Sequence, residues 1–197
     1  MITVENQLFS LHTRHTSYLF RVMETGHLEH LYYGRKIHPA IDGLMEQHAF
    51  APGNTNIYDS EHLQFSLEDA CLEMSSFGKG DIREPFVELT LSDGSETSDF
   101  LFEKFEQGTG KEEFETLPGS YDESGEVEWL GVTLRDKNSG VILELHYYVY
   151  EDCDVITRSA KLINESGDVV KLNRLMSLQL DLEPSDYVFT TFHGAWA

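Results

Sequence analysis

The segment from residue 127 to residue 182 is the feature that most constrains what this chain can fold into. It contains four runs rich in β-branched and aromatic residues, separated by three short turns: Glu128–Leu134, Val141–Glu151, Val155–Asn164 and Val169–Leu182. Such runs are typical of β-strands, and short turns between them favour an antiparallel meander. No amphipathic helix of about twelve or more residues is predicted anywhere. At 197 residues we therefore expect an all-β fold, a large antiparallel two-sheet β-sandwich.

The rest of the chain supports this interpretation. Further strand-like runs are Gln7–His12, Ser17–Met23, Leu28–Tyr33, Phe86–Leu91 and Asp99–Gln107. Thr25-Gly26 and Asp93-Gly94 predict turns between or after them. Residues 38–63 lack a strand pattern, and a short helix is predicted there near Asp42–His48. Residues 109–126 are polar and acidic, but the strand pattern resumes directly afterwards, so we expect residues 1–197 to form a single domain.

Charge and composition limit the partners of the chain. It has 35 Asp and Glu against 14 Lys and Arg, a net charge of −21. Binding to phosphate groups needs concentrated Lys and Arg, so we expect neither nucleic acid nor an anionic membrane as a partner. No apolar run approaches the roughly 18 residues of a membrane span. A secretory signal is absent and only Cys71 and Cys153 are present, which favours the cytoplasm and excludes a disulfide framework.

Four histidines lie close together in the N-terminal runs, namely His12, His15, His27 and His30. No carboxylate stands at a metal-ligand spacing beside them, so we predict hydrogen-bonded or solvated histidines rather than a metal site. No metal and no cofactor is expected.

The segment 74–85 combines turn residues with charged residues. Its two glycines predict a tight turn that approaches another part of the chain closely. Lys79, Asp81 and Arg83 alternate, which in an extended segment places all three side chains on one face. Two interpretations remain open: a surface turn with a local Asp81–Arg83 ion pair, or a polar recognition loop on a β scaffold. Asp59 likewise is either a plain turn residue or a carboxylate presented to a ligand.

The last eleven residues, Tyr187–Ala197, are apolar and aromatic. Exposed apolar surface of this size favours association. Either Trp196 packs into the core, or the natural chain continues beyond Ala197, and we favour the second.

Several segments, in this order along the chain, resemble the N-terminal domain of family 36 α-galactosidases. They are the hairpin Gly26–Gly34, Gly78–Pro85, Asp154–Ser159 with Asn164, and Phe192–Trp196. The resemblance implies a β-supersandwich that precedes a (β/α)₈ catalytic barrel and a small C-terminal β domain. It also implies a retaining hydrolase that releases terminal α-linked galactose from sugars such as melibiose and raffinose. Many members are tetramers, and the N-terminal domain contributes to assembly and to the walls of the active site.

The resemblance also implies roles for particular residues. Retaining hydrolysis needs two carboxyl groups about 5–5.5 Å apart; in the family both lie on the barrel, and nothing in this chain matches them. We therefore expect no catalytic residue here and no hydrolysis by this chain alone. Asp81 and Arg83, with Asp59, correspond to contacts that line or brace the α-galactoside pocket. Trp196 would dock the sandwich onto its own barrel, whereas Arg158 is expected to be a structural ion-pair partner.

A free-standing β-sandwich carbohydrate-binding module is the alternative. Trp129 and the pair Tyr147-Tyr148 are candidate aromatic platforms for a sugar. On alternating strand positions one residue of such a pair points inward, so use in the core is the favoured interpretation.

Overall fold

The computed structural model describes residues 1–38, 43–44, 56–113, 119–182, 185–194 and 196. Within these ranges the chain forms ten strands: β1 Ile2–Glu5, β2 Leu8–His12, β3 Thr16–Val22, β4 Leu28–Arg35, β5 Val87–Thr90, β6 Phe100–Thr109, β7 Glu128–Asp136, β8 Ile142–Tyr150, β9 Val155–Ile163 and β10 Lys171–Leu175. One 3₁₀ turn spans Leu67–Asp69. Most of the predicted helix near Asp42–His48 falls outside the described residues. No helix in the described ranges is long and apolar enough to cross a membrane.

The first four strands form one antiparallel sheet in the order β1-β2-β3-β4. Strand β1 is not predicted from the sequence. It pairs with β2 through a turn in which Asn6 and Gln7 have φ values of 49° and 62°. Both residues adopt the left-handed conformation that glycine usually supplies in such hairpin turns, and a glutamine there gives no sequence signal.

The second large sheet has the order β6-β7-β8-β9 and is an antiparallel meander. The three runs from residue 128 to residue 164 are confirmed as strands. Gly140, at the end of the predicted turn after β7, has a φ of 77°. Short turns and matched strand lengths therefore produce the fold that their pattern predicts.

Strand β10 departs from the prediction. It ends at Leu175 instead of continuing to Leu182, and it pairs with β5 instead of with its predecessor β9. The N–H of Met176 donates to the carbonyl of Phe86 at 2.9 Å. Residues 177–182 do not continue the β-ladder and instead contact side chains. The run therefore looks like one strand in the sequence but folds as a short strand followed by a strap.

The inner faces of the two large sheets, together with the β5–β10 ribbon, enclose one main core. Phe9 and Phe20 stack at 4.7 Å between ring centroids, and Phe20 stacks on Tyr147 of the opposite sheet at 5.2 Å. Val87 and Leu89 of β5 are fully buried in the same core. The all-β, antiparallel sandwich predicted from the sequence is confirmed.

Candidate functional site

The turn at residues 78–80 holds the predicted recognition loop close to a neighbouring segment. Gly78 and Gly80 have φ values of 95° and 88°. A Cβ on Gly78 would lie 2.5 Å from Oγ1 of Thr97 and 3.0 Å from its Cα. The predicted tight, closely approaching turn is confirmed, because no larger side chain fits at Gly78.

Arg83 joins three segments of the chain. Its Nε donates to Oδ1 of Asp81 at 2.8 Å, and its Nη1 donates to Oδ2 of Asp181 at 2.7 Å. Its Nη2 donates to the carbonyl of Leu67 at 2.9 Å and to Oδ2 of Asp81 at 3.0 Å. Four of the roughly five guanidinium N–H groups are therefore engaged. The local Asp81–Arg83 ion pair exists, and it also braces the 177–182 strap.

Lys79 faces a different set of partners from Arg83. Its Nζ lies 4.8 Å from the ring centroid of Tyr58 and 3.7 Å from Oδ2 of Asp99. Lys79, Asp81 and Arg83 alternate in the sequence, but their side chains do not share one set of partners. The reason is that the two glycines interrupt the extended backbone.

Asp99 is the buried centre of this second set. Its Oδ1 lies 3.0 Å from Nε2 of His27, and Tyr58 donates to its Oδ2 at 2.9 Å. Desolvation is the largest single effect and opposes ionisation of this carboxyl, but the interactions with His27, Tyr58 and Lys79 together outweigh it, so the pKa of Asp99 is lowered. The interaction ties residues 56–70 to the loop 78–83 and to the start of β6.

Asp59 lies in the same pair of loops and stabilises a turn. Its Oδ1 accepts from the backbone N–H of Glu61 and of His62, both at 2.9 Å, and lies 2.8 Å from Nδ1 of His62. Its side chain is 30% exposed. Asp59 therefore serves as a turn residue here.

A buried carboxylate, Glu73, lies at the centre of a network that the sequence does not reveal. The Glu73 side chain is 0% exposed, and Nη1 of Arg158 lies 2.9 Å from its Oε1. Tyr18 and Tyr147 each donate to Oε1 at 2.7 Å, and Nδ1 of His30 lies 3.2 Å from Oε2. Arg158 is thus the structural ion-pair partner that the sequence predicts. The only sequence feature that points to a buried Glu73 is the position of this carboxylate between the apolar residues Leu72 and Met74.

All four N-terminal histidines have side-chain hydrogen-bond partners, as predicted. The pairs are His12 with Ser17, His15 with Asp154, His27 with Asp99 and His30 with Glu73. In the described part of the chain, no group of three or more His, Cys, Asp or Glu side chains is arranged to hold a metal ion.

The predicted docking residue Trp196 does not pack into the core, since it is 101% exposed. The tail leading to it also carries Phe189 and Phe192, which are exposed to 92% and 94%. Tyr147, in contrast, is 1% exposed and bonds to Glu73, which confirms use in the core for that residue.

Chemically, the loops 56–70 and 78–83 with the 177–182 strap form a rim of braced polar groups. The carboxylates of Asp81 and Asp99 are paired with cationic or hydrogen-bond-donating side chains. Paired carboxylates of this kind can accept hydrogen bonds from a ligand, whereas a general acid needs a carboxyl whose pKa is raised, and the pKa of Asp99 is lowered.

Comparison with known proteins places this geometry in context. The model of the family described as "Glycosyl hydrolase family 36 N-terminal domain" matches residues 26–197. The bifunctional alpha-galactosidase/sucrose kinase AgaSK of Mediterraneibacter gnavus is 30% identical over 97% of this chain, and the match spans 20% of that protein.

Two solved structures have the same fold. The crystal structure of the alpha-galactosidase from Lactobacillus brevis superimposes with a TM-score of 0.82 at 34% identity, covering 91% of this chain and 25% of that one. A structure of the alpha-galactosidase AgaA from Geobacillus stearothermophilus in complex with raffinose gives a TM-score of 0.77 at 30% identity, covering 87% of this chain and 24% of that one.

Proposed function

This chain belongs to the glycosyl hydrolase family 36 N-terminal domain family, and from that premise we propose that it is the non-catalytic β-sandwich of a retaining α-galactosidase. One observation carries the proposal: the similarity covers 97% of this chain but only 20% of AgaSK. Residues 1–197 are then one domain, and the two catalytic carboxyl groups are supplied by a (β/α)₈ barrel elsewhere in the full-length protein.

The substrate class in this proposal is a terminal α-galactoside of the melibiose and raffinose type. The complex of AgaA with raffinose supports it, because that protein shares this fold at 30% identity. As substrate, the sugar would bind in the active site of the full-length enzyme, which residues 1–197 alone do not form.

Within the full-length enzyme, the loop 78–83 would form part of the wall of the sugar pocket. The Asp81 side chain is 1% exposed, so its part is to orient Arg83 rather than to touch sugar. Arg83 is 28% exposed and keeps about one N–H free for a hydroxyl group. Asp59, with its Oδ1 engaged in the turn, would present Oδ2. Trp196, fully exposed here, would dock against the barrel.

We also propose that the full-length enzyme is cytoplasmic and forms a homo-oligomer, a tetramer by the family resemblance. A net charge of −21 makes copies of this domain repel one another, so assembly has to rely on buried apolar surface.

The test is to read the open reading frame past Ala197 and to express the full-length protein beside residues 1–197. Galactose release from raffinose is expected from the full-length protein and not from the 197-residue chain. Hydrolysis by the short chain, or none by the full-length protein, would overturn the proposal. A stop codon directly after Ala197 would instead favour the free-standing binding module.

The wall role has its own test in the full-length enzyme. Arg83→Lys keeps the charge but loses the planar fork, so KM for raffinose should rise about threefold to tenfold with kcat little changed. Arg135→Lys is the matched control, because Arg135 pairs with Glu103 at 3.0 Å on an exposed part of the β6–β9 sheet. An unchanged KM in Arg83→Lys would contradict the wall role and leave the hydrolase assignment standing.

A further inference from the structure

The outward side of the β6–β9 sheet, here called the outer face, carries a concave site that the proposed function does not use. In the pairing register, Gly108 lies opposite Trp129, and Trp129 opposite Tyr148; the next outward row contains Glu106, Gly131, His146 and Ser159. A cavity of about 350 Å³ lies over these rows. This volume is within the range of about 300–1,000 Å³ that is common for small-molecule sites. Its lining includes Lys104, Glu106, Trp129, Glu144, His146 and Tyr148.

The indole of Trp129 lies against the sheet because two glycines leave room for it. A Cβ on Gly108 would be 2.8 Å from the indole Nε1, and one on Gly131 would be 3.4 Å from the indole Cζ3. The ring therefore spans from the neighbouring strand β6 to the next outward position of its own strand. Glycine inside a strand weakens it and often marks a place of close approach. Here both glycines let one face of the indole rest on the backbone, so that the opposite face lines the cavity.

The polar groups around the indole suit a neutral ligand. Glu106 is paired with Lys104 at 2.8 Å, and Glu144 lies 3.4 Å from Lys161 and 3.3 Å from His146. Glu106 and Glu144, two of the three carboxylates in the lining beside Glu112, are thus offset by cations, while keeping acceptor capacity for hydroxyl groups. The enclosed hydroxyl of Ser159, opposite His146 in the register, has no hydrogen-bond partner within the described ranges.

We propose that the outer face binds one pyranose ring of a neutral sugar. The C–H face of the ring would stack on Trp129, whose π face attracts the slightly positive hydrogens. Hydroxyl groups around the ring would donate to Glu106 and Glu144. A second copy of the chain is a poorer fit, because charged residues are depleted from the cores of protein interfaces. None of the lining residues belongs to the loops 56–70 or 78–83, so this sugar site stands apart from the proposed active-site wall and does not depend on hydrolysis.

The experiment uses the 197-residue chain with Trp196→Phe, which leaves Trp129 as its only tryptophan. Raffinose and methyl α-galactoside are titrated to about 100 mM, and the expected result is a saturable change in fluorescence with a Kd of about 1–10 mM. Sorbitol, which has hydroxyl groups but no ring, is the ligand control and should give no saturable change. Calorimetry on Trp129→Ala in the parent chain should show affinity lower by about tenfold or more.

Glu144→Gln provides a second variant that keeps the shape of the cavity, and it should weaken binding by about threefold to tenfold. If circular dichroism shows that Trp129→Ala does not fold, the affinity of Glu144→Gln alone tests the proposal. Three results would overturn the proposal: no saturation with either sugar, equal affinity in the folded Trp129→Ala or the Glu144→Gln variant, or equal response to sorbitol. A change of sedimenting mass in Trp129→Ala would show that the outer face is an interface between copies, which also overturns it.

Discussion

At the scale of single residues, Glu73 explains how the sandwich tolerates a charge in its interior. A carboxylate that is 0% exposed is costly unless its oxygens are paired and hydrogen-bonded. Desolvation raises its pKa, but Arg158 and His30 outweigh that effect, and the pKa of Glu73 is lowered. Because Arg158 extends from β9 and Tyr18 from β3, the network links both large sheets through one carboxylate.

Replacing Glu73 should therefore cost far more than replacing a carboxylate on the surface. Glu73→Gln leaves the guanidinium of Arg158 buried without its counter-charge, and we expect a loss of about 3–5 kcal/mol in the free energy of unfolding. Asp152→Asn is the control, since Asp152 pairs with Arg14 where both side chains are exposed, and it should cost about 0–1 kcal/mol. Urea unfolding of the three proteins measures this, and similar losses in both variants would contradict the role of Glu73.

Asp154 makes the stability of the folded chain depend on pH in the acidic range. It has a φ of 54°, and hydrogen bonds from the side chain and backbone of His15 and from Thr13 lower its pKa from 3.8 to about 2. Because the folded state lowers this pKa, the stabilisation is complete above pH 3.8 and is lost as the pH falls toward about 2. Asp154→Asn tolerates the same backbone conformation but cannot titrate.

The parent chain should therefore exceed Asp154→Asn in stability most clearly at neutral pH. The difference should shrink as the pH falls from 3.8 to about 2. Urea unfolding across this range measures it, and a difference that does not change with pH would rule out the assigned hydrogen bonds.

At the scale of elements, the sequence predicts best where glycine turns join strands that are neighbours along the chain. Gly26 and Gly140 have positive φ, and the strands on either side of each pair as predicted. β10 departs from its prediction because the local pattern does not choose a distant partner: β5 lies about eighty residues earlier. For the candidate site, the pair of Asp81 and Arg83 was predictable because both residues lie in one short segment. Glu73 was not predictable, since its partners come from four separate strands.

In the loop 78–83, the energetic cost of the close approach between Gly78 and Thr97 can be measured separately from the cost of backbone strain. Gly78→Ala adds a Cβ where Thr97 already lies and also forces alanine to a φ of 95°. We expect a loss of about 2–4 kcal/mol. Gly94→Ala, with a φ of 83° but nothing within 4 Å of the added Cβ, isolates the strain and should cost about 1 kcal/mol. Thermal or urea unfolding compares them; equal losses would mean that contact with Thr97 costs nothing.

At the scale of the whole molecule, a strongly acidic domain carries an exposed aromatic tail. Electrostatic repulsion from a net charge of −21 opposes association at low salt, and Phe189, Phe192 and Trp196 are more than nine-tenths exposed. Salt screens the repulsion but does not weaken apolar contacts.

We therefore expect the 197-residue chain to self-associate as salt is raised to about 0.5 M, and a variant with serine at these three positions to remain monomeric. Tyr121→Ser is the control, because Tyr121 is 89% exposed but lies outside the tail. Sedimentation at low and high salt measures this. Association of the triple variant equal to that of the parent would exclude the tail as the contact surface.

The pairing of β10 with β5 has a consequence for how the domain is made. Synthesis delivers β5 long before β10, so during translation Val87 and Leu89 belong to a strand whose ladder partner does not yet exist. Until residue 175 has left the ribosome, the apolar residues of the sandwich can cluster, but the β5–β10 pair cannot form. The unpaired edge of β5 meanwhile remains available for pairing with other nascent chains. Contacts this distant along the chain also form late, because loop closure precedes any gain from them. The step that completes the sandwich therefore comes only after β10 has been synthesised, and a translational pause shortly after β10 emerges would give this step time to finish.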